Sequence, residues 1–139
     1  MTKNYFAMQW HITDRCDQRC KHCYIFAGED KSYSPEFDLS TLKEIFFDFL
    51  DTCKKMDKRP SISVTGGDPL LHKDIWSLLA LFKEYNVPFA ILGNPFHLNE
   101  NVAKQLKKLG CTTYQMSLDG LRETHDFIRK PGSFEATLN

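Results

Sequence analysis

Neither sign of charge is in surplus in this 139-residue chain, where 18 Lys and Arg balance 18 Asp and Glu. A protein that tracks nucleic acid or an anionic membrane surface needs a basic excess, so neither partner is expected. Long apolar runs are missing as well. No stretch reaches the roughly 18 residues of a membrane-spanning helix, and Met1-Thr-Lys-Asn-Tyr-Phe6 lacks the apolar core of a signal peptide. These two absences predict a cytoplasmic location. Glycine and proline number only 7 and 6, and no linker or low-complexity tract interrupts the chain. One domain is expected, long enough to bury a real core. Cysteine numbers five, an odd count. With no secretory signature, that argues against a disulfide framework and for metal ligation.

What is present is concentrated in His11-Ile-Thr-Asp-Arg-Cys-Asp-Gln-Arg-Cys-Lys-His-Cys-Tyr24. Cys16, Cys20 and Cys23 place three thiols in one short loop with the spacing C-x3-C-x2-C. Three sulfurs can converge on one inorganic centre yet leave it a protein ligand short. On an iron-sulfur cubane, which wants four ligands, one iron then stays open to a substrate or cofactor. The alternative is zinc, with His11 or His22 completing a Cys3His set. Cys53 continues an apolar helical stripe and Cys111 follows a helix-ending glycine, so both are read as packing thiols.

Around this loop the hydrophobic period switches between 2 and 3.6. Residues 6–13 alternate, with Met8, Trp10 and Ile12 opposite Gln9, His11 and Thr13, which predicts a strand. A polar connector at Lys31–Pro35 precedes a helix over about residues 40–56, with a capping box read at Thr41 and Glu44. A second strand opens at Pro60 and ends in Gly66-Gly67-Asp68-Pro69. The second helix carries Ile75, Leu78, Leu79 and Phe82; the third strand spans residues 87–92; the third helix stops at Gly110. The fourth strand is expected over residues 112–118. Strand and helix in alternation predict an α/β fold with a parallel sheet, a (βα)4 unit. The first, second and fourth strands each keep a polar face, read as a hydrated lumen or, alternatively, as the exposed face of a two-layer fold. The cysteine loop, Gly66 to Pro69, Asn94 and Asp119 all follow strands and so fall on one rim, where the chemistry of barrel-like βα folds sits.

The cysteine spacing after the first strand resembles the signature of the radical S-adenosylmethionine (radical SAM) enzymes. Thr65-Gly66-Gly67-Asp68-Pro69 is similar to their second signature, with Asp68 where glutamate is usual, and His22 stands where an aromatic usually precedes the third cysteine. Ser117-Leu118-Asp119-Gly120 is similar to the region that holds the ribose. The runs His125-Asp126-Phe127-Ile128-Arg129 and Pro131-Gly132-Ser133-Phe134 resemble the SPASM/twitch-type, peptide- or protein-modifying branch. The resemblance implies a partial TIM barrel, (βα)6 when complete, of which residues 1–139 supply strands one to four, the remainder and any auxiliary-cluster domain lying outside this chain. It implies a [4Fe–4S] cluster on Cys16, Cys20 and Cys23, and S-adenosylmethionine cleaved reductively to a 5′-deoxyadenosyl radical.

On that reading Gly66 and Gly67 let backbone approach the cofactor, and Asp68 pairs with its ammonium group. Ser117 and Asp119 hold the ribose, Asn94 lies near the cofactor, and Tyr24 packs by the adenine or joins the core. The bland reading of Gly66–Pro69 and of Asp119-Gly120 is a plain turn. His125, Asp126 and Arg129 are read as a local salt bridge on a short helix. The expected function is modification of a ribosomally made peptide, by a thioether or other crosslink, with ferredoxin or flavodoxin as electron donor. Alternatives are a small-molecule substrate, a sulfatase-type maturase, or a non-catalytic zinc or iron-sulfur module. An open edge at the fourth strand predicts self-association.

Overall fold

The computed structural model describes residues 4–26 and 34–139, so the expected connector at 31–35 lies mostly outside the described residues. Four strands, β1 (Tyr5–Thr13), β2 (Arg59–Gly66), β3 (Phe89–Leu92) and β4 (Cys111–Gln115), form one sheet in chain order. Every neighbouring pair is parallel. Parallel neighbours demand a long return between strands. Here α1 (Leu39–Lys55), α2 (Ile75–Glu84) and α3 (Glu100–Leu109) provide it, and α4 (Arg122–Ile128) and α5 (Ser133–Leu138) follow β4. This is the α/β class expected from the alternation of periods. None of the described helices is long and apolar enough to cross a membrane.

The core lies between the sheet and its helices. Trp10 and Ile12, Ile62 and Val64, and Phe89 and Ile91 point from successive strands onto Leu42, Phe46, Leu78 and Phe82. The Phe82 ring is central, 5.2 Å from Phe46, 5.7 Å from Phe89 and 6.3 Å from Trp10 between centroids. Each such side chain contributes roughly 1.5–3 kcal/mol on leaving water, which fixes strand register because a one-residue slip would expose the set. The opposite residues, Gln9 and His11 on β1 and Ser61, Ser63 and Thr65 on β2, stay exposed or half-buried. Cys53 is in the core and Cys111 packs against it, as expected of packing thiols.

Three boundaries differ from expectation. The first helix is capped by Asp38, whose Oδ1 accepts from the Thr41 N–H at 2.9 Å, so Thr41 sits inside the first turn instead of capping it. The third strand starts at Phe89, because the Val87 N–H still closes the end of α2 on the Phe82 carbonyl and Pro88 has no N–H for a ladder. The fourth ends at Gln115, paired with Leu92. Beyond Leu92 the chain turns away at Gly93-Asn94-Pro95, so residues 116–118 have no neighbouring strand to pair with.

Candidate functional site

At the C-terminal edge of the sheet the four strands open into one cavity. Its wall takes Cys16, Cys20, His22, Cys23 and Tyr24 from the loop after β1, Gly66 and Gly67 from the end of β2, and Asn94 after β3. Gln115 and Ser117 come from β4 and its continuation, and Arg129 from the end of α4. Residues as far apart in sequence as Cys16 and Arg129 meet because parallel strands deliver all their C-terminal loops to one rim.

The cysteine loop is laid directly on the end of β2. The N–H groups of Gly67 and Asp68 donate to the carbonyls of Thr13 and Arg15, both at 2.7 Å. A Cβ on Gly66 would stand 2.2 Å from the Thr13 oxygen, and one on Gly67 2.2 Å from the Arg15 oxygen. Gly66 also has φ of +141°, which side chains rarely adopt. The two glycines were expected to clear space for a ligand; the structure adds that they let the cysteine loop seat at all. A second anchor comes from α4, whose Ile128 carbonyl accepts from the Lys21 N–H at 2.8 Å.

Each sulfur has its own surroundings. Cys16 Sγ accepts from the Gln18 N–H at 3.4 Å and from Asn94 Nδ2 at 3.6 Å. Cys20 Sγ accepts from Arg129 Nη1 at 3.7 Å. Burial pushes the Cys20 thiol up, the Arg129 guanidinium opposes that, and negative charge on Cys16 and Cys23 pushes it up further. The three sulfurs are thus near enough for charge on two of them to be felt at the third. His22 lines the cavity with the three cysteines, whereas His11 is committed elsewhere, with Nε2 on Asp14 at 2.7 Å and Nδ1 near the Tyr24 hydroxyl at 3.3 Å.

Other residues singled out from the sequence divide into two groups. Tyr24, Gly66, Gly67, Asn94 and Ser117 line the cavity together with the cysteines, and Tyr24, 74% exposed, is not a core aromatic. Asp68 and Asp119 do not line it. Asp68 was expected to meet a ligand ammonium group, but it is fully buried, with Oδ1 accepting from the Leu70 N–H at 3.1 Å. Burial pushes its pKa up to about 6. Asp119 borders an adjoining hollow with Lys21, His22, Phe127 and Ile128. Its carboxylate pairs with Arg129, which holds its pKa below the usual range.

The expected local salt bridge on α4 is not formed. Arg129 reaches back to Asp119 and Cys20, His125 is buried with Nδ1 accepting from the Asp119 N–H at 3.2 Å, and Asp126 binds backbone N–H groups. Sequence reasoning passed over Gln18, Gln115 and Arg129 as cavity residues. Gln115 was findable, since it lies two positions before Ser117 on the polar side of a period-2 pattern. Nothing local marks Arg129, whose partners are ten and 109 residues away.

A sequence profile described as the Radical SAM superfamily matches residues 10–139. The chain is 33% identical over 130 residues to an Fe-coproporphyrin III synthase of Methanosarcina barkeri, covering 93% of this chain and 31% of that protein. It is 29% identical over 129 residues to the mycofactocin maturase MftC of Mycobacterium ulcerans, covering 92% and 33%. A GTP 3',8-cyclase of Campylobacter lari is 31% identical over 114 residues, covering 81% and 34%. The chain thus spans about a third of the length of these curated relatives.

Proposed function

The chain belongs to the radical SAM superfamily, and from that premise we propose that the cavity at its sheet edge is the cluster- and cofactor-binding face of a radical enzyme that modifies a peptide. Enzymes of this superfamily use a [4Fe–4S] cluster and S-adenosylmethionine. When bound, these groups supply reductive cleavage of the sulfonium and a 5′-deoxyadenosyl radical that takes hydrogen from the substrate. The chain's own residues hold and enclose. Cys16, Cys20 and Cys23 are the cluster ligands, and three ligands leave one coordination position for the cofactor. Gly66 and Gly67 present bare backbone, while Tyr24, Asn94, Gln115 and Ser117 offer an aromatic face and polar groups around the same space. Asp119, paired with Arg129 beside the cavity, would contribute through that partner.

The observation that carries this reading is the convergence of the three cysteines, the glycine pair, Asn94 and Ser117 on one cavity. Anaerobic reconstitution tests it. The chain is expected to take up iron and sulfide with a broad thiolate-to-iron absorption. Cys16→Ala, Cys20→Ala or Cys23→Ala should abolish that uptake, whereas Cys53→Ala and Cys111→Ala should not. Stoichiometric zinc without the iron band, or normal assembly after loss of Cys20, overturns it.

A peptide substrate is supported by the residue 125–134 resemblance and by the similarity to a mycofactocin maturase. A second reading, a tetrapyrrole or nucleotide substrate, draws on the similarity to an Fe-coproporphyrin III synthase and a GTP 3',8-cyclase. A precursor peptide that loses two hydrogens on turnover with the full enzyme favours the first. Turnover of a tetrapyrrole or nucleotide, with no change in any peptide, favours the second. A small iron-sulfur or flavin electron carrier, ferredoxin or flavodoxin, would supply the electron.

A further inference from the structure

Beneath the Cys16 side of the cavity lies a second set of donor atoms that contains no sulfur. One ligand atom each from Asp17, Asp68 and His97 lies within 4.8 Å of the other two. Asp17 Oδ2 and His97 Nε2 are 3.0 Å apart. Around a six-coordinate ion with bonds of about 2.1 Å, adjacent donors stand about 3.0 Å apart and opposite ones about 4.2 Å. Asp17 and His97 thus already stand at the adjacent-donor spacing, and Asp68 completes the set from within 4.8 Å of both.

The carboxylates are also steered. Asn94 Nδ2 donates to Asp17 Oδ1 at 3.1 Å, leaving Oδ2 to face His97. The Leu70 N–H donates to Asp68 Oδ1 at 3.1 Å, and Asp68 Oδ2, on a side chain with 0% exposure, has no partner among the described residues. A buried carboxylate oxygen left unpaired is costly, and a cation is the partner that removes the cost outright. No lysine does so here. Lys130 Nζ reaches only the Asp17 backbone carbonyl, at 3.1 Å, with its ammonium over the Phe96 ring. His97 and Asp17 are 37% and 36% exposed, which gives an ion a way in.

We infer that Asp17, Asp68 and His97 form a mononuclear site for a divalent cation, separate from the three cysteines. Two carboxylates and an imidazole suit a hard to borderline first-row ion such as Mn2+, with water completing its shell. An ion held between them would take the place of the His97–Asp17 hydrogen bond. Since Asn94 bonds both Asp17 and Cys16 Sγ, the ion would stiffen the loop that presents the first cysteine. The inference does not rest on cluster chemistry.

Titration of the purified chain with Mn2+, followed by loss of the free ion's paramagnetic resonance signal, is expected to show one saturable site. Asp68→Asn and His97→Gln should each weaken binding at least about tenfold. Cys20→Ala should leave it in place, which separates this site from the cysteine centre. His97 is partly exposed, so its variant keeps the test decisive if Asp68→Asn misfolds by circular dichroism. No saturable Mn2+ binding, or binding unchanged in the His97 variant, overturns the inference; the orphan oxygen is then met by water or by a proton shared with Asp17.

Discussion

Arg129 acts at the scale of a single side chain. Its side chain is 14% exposed, pairs with Asp119 through Nε and donates to Cys20 Sγ at 3.7 Å through Nη1. A positive charge and an N–H donor beside a cluster sulfur stabilise the reduced, more negative state. Arg129→Gln in the reconstituted chain should therefore lower the cluster's reduction potential, on the order of tens of millivolts. Arg129→Lys, which keeps charge but not the two-pronged geometry, should fall between. A redox titration monitored by paramagnetic resonance checks this, and an unchanged potential in Arg129→Gln would show that the contact has no electrostatic consequence. At this scale the sequence located residues on the rim but not where their side chains point. Asp68 turns beneath the rim to cap Leu70, and Asp119 is taken by Arg129. Such choices depend on partners distant in sequence, as with Asn94 and Asp17, 77 positions apart.

At the scale of elements, helices and strands were legible because their periods are strong, while their ends were set by local competition for N–H groups. Asp38 displaced Thr41 as the cap of α1 by standing three residues ahead of it with a free carboxylate. A similar device builds the start of α5. Asp126, on α4, accepts the N–H groups of Gly132 and Phe134, both at 2.8 Å, which a helix start otherwise leaves without partners. These bonds favour the charged form and hold the Asp126 pKa below its ordinary value. With the folded pKa below the unfolded one, the stabilisation is present above the unfolded value, about 3.9, and is lost as pH falls through the folded one. Denaturant melts at neutral pH and near pH 3 should therefore show an acid-sensitive component that Asp126→Asn reduces. Equal acid sensitivity in wild type and variant would place the loss in other carboxylates.

For the whole molecule, the alternation of apolar and polar residues was enough to read a one-sided sheet, since it sorts Trp10, Ile62, Val64 and Ile91 from Gln9, His11, Ser61 and Ser63. It did not say what faces the polar side, because that depends on closure, and closure is a property of strand number rather than of any strand's pattern. The same point governs association. The sheet runs β1-β2-β3-β4, so β4 has a strand neighbour on one side only among the described residues, and Thr112, Thr113 and Gln115 along it are exposed. A parallel edge with free N–H and C=O groups is a template for another strand. A polar, β-prone run such as Cys111-Thr-Thr-Tyr-Gln115 carries no charge to discourage pairing. Sedimentation velocity of the 139-residue chain should show a coefficient that rises with concentration. Thr113→Lys, which puts a charge on that edge, should return it toward the monomer value. A concentration-independent monomer would mean that the chain protects β4 by itself.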